Sequence, residues 1–218
     1  MTADAAAVVK PARVSARDRR EQYLAAAARI AAEQGVAMVT MEAVAAAVGV
    51  NKALLYRQFD NRGELLLALF DRETEELDRR VAEAIAGVHG FEPKVRAWAK
   101  AWFDHLAERA ALFGRLMEAR TIAPEVAVRH RERLRRLERT YGEWYARELD
   151  IPLEQARDAA RVLLAGLGGA IDRWNTAPSR ATRRRLEQTY VDLMLGGLAR
   201  VASVSAPARA EQAPARRP

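Results

Sequence analysis

Cysteine is missing from this chain of 218 residues. Disulfide frameworks, thiolate nucleophiles, cysteine-ligated zinc and dithiol redox sensing are excluded with it. Long apolar runs are missing too, since no stretch approaches the ~20 residues that span a bilayer. At the N-terminus Val8 and Val9 precede the arginines and no apolar segment follows, which is the wrong order for a secretion signal. No stretch alternates in polarity for long enough to make a strand, and no internal repeat is found. The three histidines, His89, His105 and His130, are scattered without metal-ligand spacing. No Ser/His/Asp order supports a nucleophile, and no glycine-rich phosphate loop is present. The expectation is a soluble, cytoplasmic, non-enzymatic protein with no metal and no cofactor.

What is abundant is alanine, which supplies 46 residues. Alanine is the strongest helix former and is depleted in strands, so the composition points to an all-α fold. The length suits one large domain, or a small one joined to a larger one. Formal charge is +7 and uneven. Lys10, Arg13, Arg17, Arg19 and Arg20 face only Asp4 and Asp18 in the first twenty residues, and Arg209, Arg216 and Arg217 face only Glu211 at the other end. A basic arm beside a nearly balanced body fits contact with nucleic acid, although a solubilising tail has the same composition. Residues 1–15 read as a flexible basic arm and 204–218 as a disordered tail, because neither has the apolar periodicity to offset ordering entropy.

Between these ends the sequence reads as consecutive helices. The first runs from about Arg17 to Gln34, with Leu24, Ala27, Ala28 and Ala31 on one face and Gly35 ending it. Thr40, Asn51 and Asn61 are each placed to cap a following helix, with Glu64 three residues after Asn61. Helices are therefore expected over about 40 to 48, 51 to 59 and 61 to 86. The middle two are too short to hold alone and must pack. Val44, Val48, Leu55 and Phe59 supply the inward faces, Ala45 lets the pair approach, and Gly49 supplies the turn between them. This is a helix-turn-helix, whose second member can enter a major groove.

The run Val39-Thr40-Met41-Glu42-Ala43-Val44-Ala45, then Val48-Gly49-Val50-Asn51-Lys52, Leu55-Tyr56-Arg57-Gln58-Phe59 and Asn61-Arg62-Gly63-Glu64-Leu65-Leu66 resembles the DNA-binding domain of TetR/AcrR-type transcriptional regulators. The resemblance covers roughly residues 17 to 77. It implies that Thr40 and Tyr56 hold phosphates and that Lys52 and Arg62 contact the DNA backbone or lie beside it. A helix start and a phenol hydroxyl can do this without reading sequence. The readings of Thr40 as a cap only and of Tyr56 as a packing aromatic stay open. Sequence reading falls to the exposed side of the third helix: Asn51, Lys52, Ala53, Leu54, Arg57 and Gln58. Arg57 can fork onto guanine, Gln58 can pair with adenine, and Ala53 and Leu54 can meet thymine methyls. Glu42 is expected to cap rather than read. Two residues depart from the family pattern: Gln58, where histidine is common, and Gly63, which costs roughly 1 kcal/mol in a first helical turn.

Pro93, Pro124, Pro152 and Pro178 punctuate the rest, giving helices at about 93 to 107, 109 to 120, 124 to 148, 153 to 174 and 180 to 203. The total is about nine helices, divided into a DNA-binding domain at 16–77, with its motif at about 40–59, and a second domain at 78–203. The resemblance implies that this second domain binds an effector and dimerises. Leu163, Leu167, Ile171, Tyr190, Met194 and Leu198, on the last two helices with Gly166, Gly168, Gly169, Gly196 and Gly197, are the expected dimer interface; intrachain packing is the alternative. Trp98, Trp102, Phe103, His105, Phe113, Met117, Arg120, Tyr141, Trp144 and Tyr145 are candidate walls of an effector cavity, or else plain core. The resulting expectation is a sequence-specific transcriptional regulator, a ligand-responsive homodimeric repressor on a palindromic operator in double-stranded DNA, with no membrane contact. The alternative is an architectural protein that coats nucleic acid without choosing a sequence.

Overall fold

The structure, a computed structural model, describes residues 15–212. Residues 1–14 of the arm expected at 1–15, and residues 213–218 of the tail expected at 204–218, lie outside the described residues. Eight α-helices and one 3-10 turn, with no strand, make up the described part: α1 (Ala16–Gln34), the 3-10 turn Val36–Met38, α2 (Met41–Val48), α3 (Lys52–Tyr56), α4 (Arg62–Ile85), α5 (Phe91–Ile122), α6 (Pro124–Leu149), α7 (Leu153–Thr176) and α8 (Arg180–Gln212).

The helix starts have their physical causes in place. Ser15, Thr40, Asn51 and Asn61 each accept a hydrogen bond from a backbone N–H of the first turn, at 2.9 to 3.1 Å. Glu64 returns the favour at α4 by accepting from the Asp60 N–H at 2.6 Å. Gly49 ends α2 with φ 72°, the left-handed conformation that costs glycine little.

Two buried clusters organise the molecule, and α4 belongs to both. The first gathers Tyr23, Leu24, Val44, Leu55, Phe59, Leu65, Leu66 and Phe70, and is closed from below by Leu112, Leu116, Ala119 and Val126 of α5 and α6. The small head therefore completes its core on the α5–α6 corner. Gly63 lies at this contact: a Cβ there would come 3.0 Å from Asn61 Oδ1 and 3.1 Å from both carboxylate oxygens of the exposed Glu125, a fit so close that the Glu125 side chain would have to give way. The second cluster joins Leu77 and Val81 of α4 to Val95, Trp98, Phe103, Tyr145, Ala160, Leu167, Met194 and Leu198.

Three expectations about the helices change. The third helix ends at Tyr56 rather than Phe59: the chain tightens there into a turn in which the Gln58 N–H bonds the Leu55 carbonyl three residues back, at 2.9 Å. The helices expected at 93–107 and 109–120 are one run with a kink at Arg109 (φ −121°, ψ 16°). There the Arg109 guanidinium donates to the carboxylate of Glu73, at 3.0 and 2.8 Å, and Arg72 donates to the same buried group. The last helix continues past 203 to Gln212, held where it passes α7 by the buried Ser205 hydroxyl, 2.5 Å from Gln155 Oε1.

Candidate nucleic-acid interface and interior cavity

The α2–α3 pair presents a compact polar face. Val44, Ala45, Leu55 and Phe59 are buried against the head core, which fixes α3 and leaves its other side outward. Asn51, Lys52, Ala53, Tyr56 and Arg57 are exposed, whereas Leu54 and Gln58 are half-buried. Arg57 and Gln58 sit in the turn after α3 rather than within it. Arg20 reaches this turn from α1, donating to the Gln58 carbonyl at 3.2 Å and stacking 4.5 Å above the Phe59 ring. It thereby ties the first helix to the turn after α3.

Lys52 does not stand free. Its ammonium pairs with the Glu42 carboxylate across the turn and lies 5.4 Å from the centre of the Tyr56 ring. The hydrogen bond to Lys52 is the main reason the Glu42 carboxyl sits below its usual range, and the same bond raises Lys52. The capping at this helix falls to Thr40, whose hydroxyl accepts from the Ala43 N–H at 3.1 Å. Glu42, expected to cap, stands in the first turn of α2, where a backbone N–H also lowers its carboxyl, and it holds the neighbouring cation as well. Arg62, expected to contact the DNA backbone or lie beside it, is half-buried; its guanidinium donates to the carbonyls of Val39 at 2.7 Å, Val36 at 3.0 Å and Ala37 at 3.2 Å and so staples α4 to the 3-10 turn.

Below the head, α4, α5, α6 and α7 enclose a cavity of about 580 Å³. Of the ten candidates for its wall, Trp98, Trp102, Phe113, Met117, Arg120 and Tyr141 line it. Phe103, His105, Trp144 and Tyr145 do not. Phe103 and Tyr145 are buried core, and Trp144 packs on Phe91 at 5.3 Å. His105 is buried beside the Arg80, Glu73 and Arg109 group, and burial lowers its imidazole below the ordinary value. The cavity also uses residues absent from the expectation: Thr74, Leu77, Asp78 and Val81 of α4, and His130, Arg133, Leu134 and Leu137 of α6. The spacing 130, 133/134, 137, 141 is an i, i+3/4 stripe, masked in the sequence by the arginines interleaved with it. Arg133 pairs with Asp78, and Trp98 donates to the Tyr141 hydroxyl at 2.8 Å. Burial, with the cations Arg120 and Arg133 adding to it, lowers His130 to about 4.

The expected dimer residues turn inward. Leu167, Ile171, Tyr190, Met194 and Leu198 are buried within their own chain, and Leu163 is half-buried. The Tyr190 hydroxyl donates to the Leu163 carbonyl at 2.8 Å. The opposite faces of α7 and α8 are the open ones: Val162 is 71% and Leu193 68% exposed, with Val204 also out. Around Gly168, Gly169, Gly196 and Gly197 nothing lies within 4 Å of an added Cβ. No described helix is long and apolar enough to cross a membrane.

Residues 24–69, the head and its supporting helix, match the family model described as bacterial regulatory proteins, tetR family. Over 89 residues the chain is 32% identical to the HTH-type transcriptional activator FasR of Mycolicibacterium smegmatis, a match spanning 41% of each chain. It is 27% identical over 188 residues to the HTH-type transcriptional regulator BetI of Brucella suis, spanning 82% of this chain and 92% of that one. A TetR-like transcriptional regulator from Rhodococcus sp. RHA1 shares the fold with a TM-score of 0.66 at 21% identity, over 86% of this chain and 99% of that one.

Proposed function

Because this chain belongs to the TetR family of DNA-binding transcriptional regulators, we propose that it acts as a ligand-responsive homodimeric repressor on a palindromic operator. The observation that supports this most is the exposed row Asn51, Lys52, Ala53, Tyr56 and Arg57, held rigid by the buried Leu55 and Phe59. Tyr56 and Thr40 hold phosphates; Arg57, Ala53, Asn51 and the free edges of Gln58 and Leu54 meet base edges. Two such heads, about 34 to 36 Å apart, meet successive major grooves.

The second copy docks on the outward faces of α7 and α8, where Val162, Leu193 and Val204 are uncovered and the glycines let another backbone come close. The cavity takes the effector. It touches α4 and α5, which both contribute to the two cores, so a guest that shifts α4 changes the separation of the two heads, a coupling typically worth ~1 to 3 kcal/mol.

Gel-shift titration with the DNA upstream of the chain's own gene, beside scrambled DNA at one fixed salt concentration, tests the reading. A preference of about 10³-fold or more for one two-fold-symmetric site is expected. Equal affinity for both DNAs would make it an architectural coat with no chosen site. The match to a protein named an activator supports a second direction of control, in which the bound dimer raises transcription; a promoter-reporter assay with and without the chain separates the two directions.

A further inference from the structure

The cavity has two chemically different ends. The α6 face along it, from His130 to Tyr141, spans roughly 16 Å at about 1.5 Å per residue. At the Tyr141 end the walls are Trp98, Trp102 and Leu164, and the Tyr141 hydroxyl is already occupied by Trp98. At the other end the His130 ring meets Phe70 of the head edge-on at 5.9 Å, and the lining becomes polar and cationic.

His130 Nδ1 and Arg133 Nε are buried there with no hydrogen-bond partner among the described residues. Buried polar atoms in folded proteins are almost always satisfied, so two orphans around one cavity mark a place for a guest's acceptor. Asp78 takes a terminal nitrogen of Arg133, which leaves the Nε–H available. Arg120 lines the same cavity with its Nε on the Met117 carbonyl at 2.9 Å, and it has no carboxylate partner among the described residues. Of the lining carboxylates, Asp78, Glu118 and Glu138 are held by Arg133, Arg115 and Arg161, and Asp172 of α7, which lines the same cavity, is exposed. The field at His130 is cationic: the charges that lower its proton affinity are Arg120 and Arg133.

Taking the cavity as the effector site proposed above, we infer that its guest is an elongated monoanionic amphiphile, an apolar chain lying along Leu137, Tyr141 and Trp98 with a carboxylate against His130, Arg133 and Arg120. The carboxylate accepts from Arg133 Nε–H and from the Nδ1–H tautomer of the neutral imidazole, and Arg120 supplies the countercharge. The apolar length excludes small hydrophilic anions, and the unpaired donors disfavour an ammonium head.

The test titrates the full chain with dodecanoate, dodecanol and dodecyltrimethylammonium below their micelle thresholds. Occupancy is read by the change in tryptophan fluorescence, to which Trp98 and Trp102 of the wall contribute, and operator affinity is followed in parallel. Dodecanoate is expected to bind at least about tenfold more tightly than dodecanol. In Arg120→Gln and His130→Phe, checked for native helicity, that preference falls below about threefold while dodecanol binding is kept. Dodecanol or the ammonium binding as tightly as dodecanoate overturns the inference, as does the absence of a response to dodecanoate. If dodecanoate is preferred but operator affinity does not move, the guest assignment stands and the effector role falls. If acid and alcohol bind equally and both release DNA, the effector role stands and the carboxylate assignment falls.

Discussion

Replacing Glu42 by Gln isolates the electrostatics of the surface proposed to face DNA. In the free chain Lys52 is engaged by Glu42, and both groups are largely exposed, so the pair holds a cation in place without adding much to stability. Near DNA the same carboxylate opposes the phosphates and competes with them for Lys52. Glu42→Gln removes the competitor and frees one cation per head. Each additional phosphate neutralised on B-DNA steepens the slope of log affinity against log salt by ~0.9, so a dimer gains ~1.8. Over a fourfold rise in salt, from about 50 to about 200 mM, the variant's advantage then shrinks by about tenfold. Fluorescence anisotropy on labelled operator DNA measures both slopes. The variant should bind more tightly at low salt and converge on the parent as salt rises. An equal or shallower slope would show that Lys52 reaches no phosphate once released, and the phosphate role assigned to it would be wrong.

Other outcomes follow from the same geometry. Tyr56→Phe should weaken binding to every DNA by a similar factor, whereas Arg57→Ala should change the ranking of operator variants; binding selections on randomised sites separate the two. Leu193→Asp should give a monomer of near-parental stability in sedimentation, because Leu193 is exposed. Met194→Ala, one residue on and fully buried, should instead lower folding stability by roughly 2 to 5 kcal/mol in urea titration. His130, lowered from 6.5 to about 4, binds a proton more readily when the chain is unfolded. Its contribution is therefore fully present above about pH 6.5 and is lost as pH falls toward about 4, so urea midpoints of His130→Phe should fall less steeply than those of the parent across that window.

The local signals of the head are legible residue by residue. Thr40, Asn51, Asn61 and Gly49 act through atoms within a few positions along the chain, so their roles as caps and turn can be read without tertiary knowledge. The end of α3 is less legible, because the chain tightens into a three-residue turn, Gln58 N–H onto the Leu55 carbonyl, while the apolar spacing of Leu55 and Phe59 runs on unbroken. The stapling by Arg62 depends on carbonyls more than twenty positions away, and the kink at Arg109 on a carboxylate 36 positions away. Neither partnership leaves a mark in a single sequence. The last two helices are apolar on one face and small on the other. Leu167 and Met194 turn inward because α5 and α6 lie on that side, which periodicity alone cannot reveal; the glycine face was the better indicator of what stays uncovered. In the cavity, aromatic residues drew attention to α5, while the His130, Leu134, Leu137 stripe on charged α6 was hidden among arginines.

Hydroxyl-radical footprinting of the full chain on its upstream DNA tests the central claim most directly, because it reads the number and spacing of heads on one duplex. Two protected patches related by two-fold symmetry, centred about 10 to 10.5 base pairs apart or a multiple of that, are predicted, with both lost in Leu193→Asp. A single patch that survives in Leu193→Asp, or even protection along the whole fragment, would contradict a paired, sequence-reading regulator.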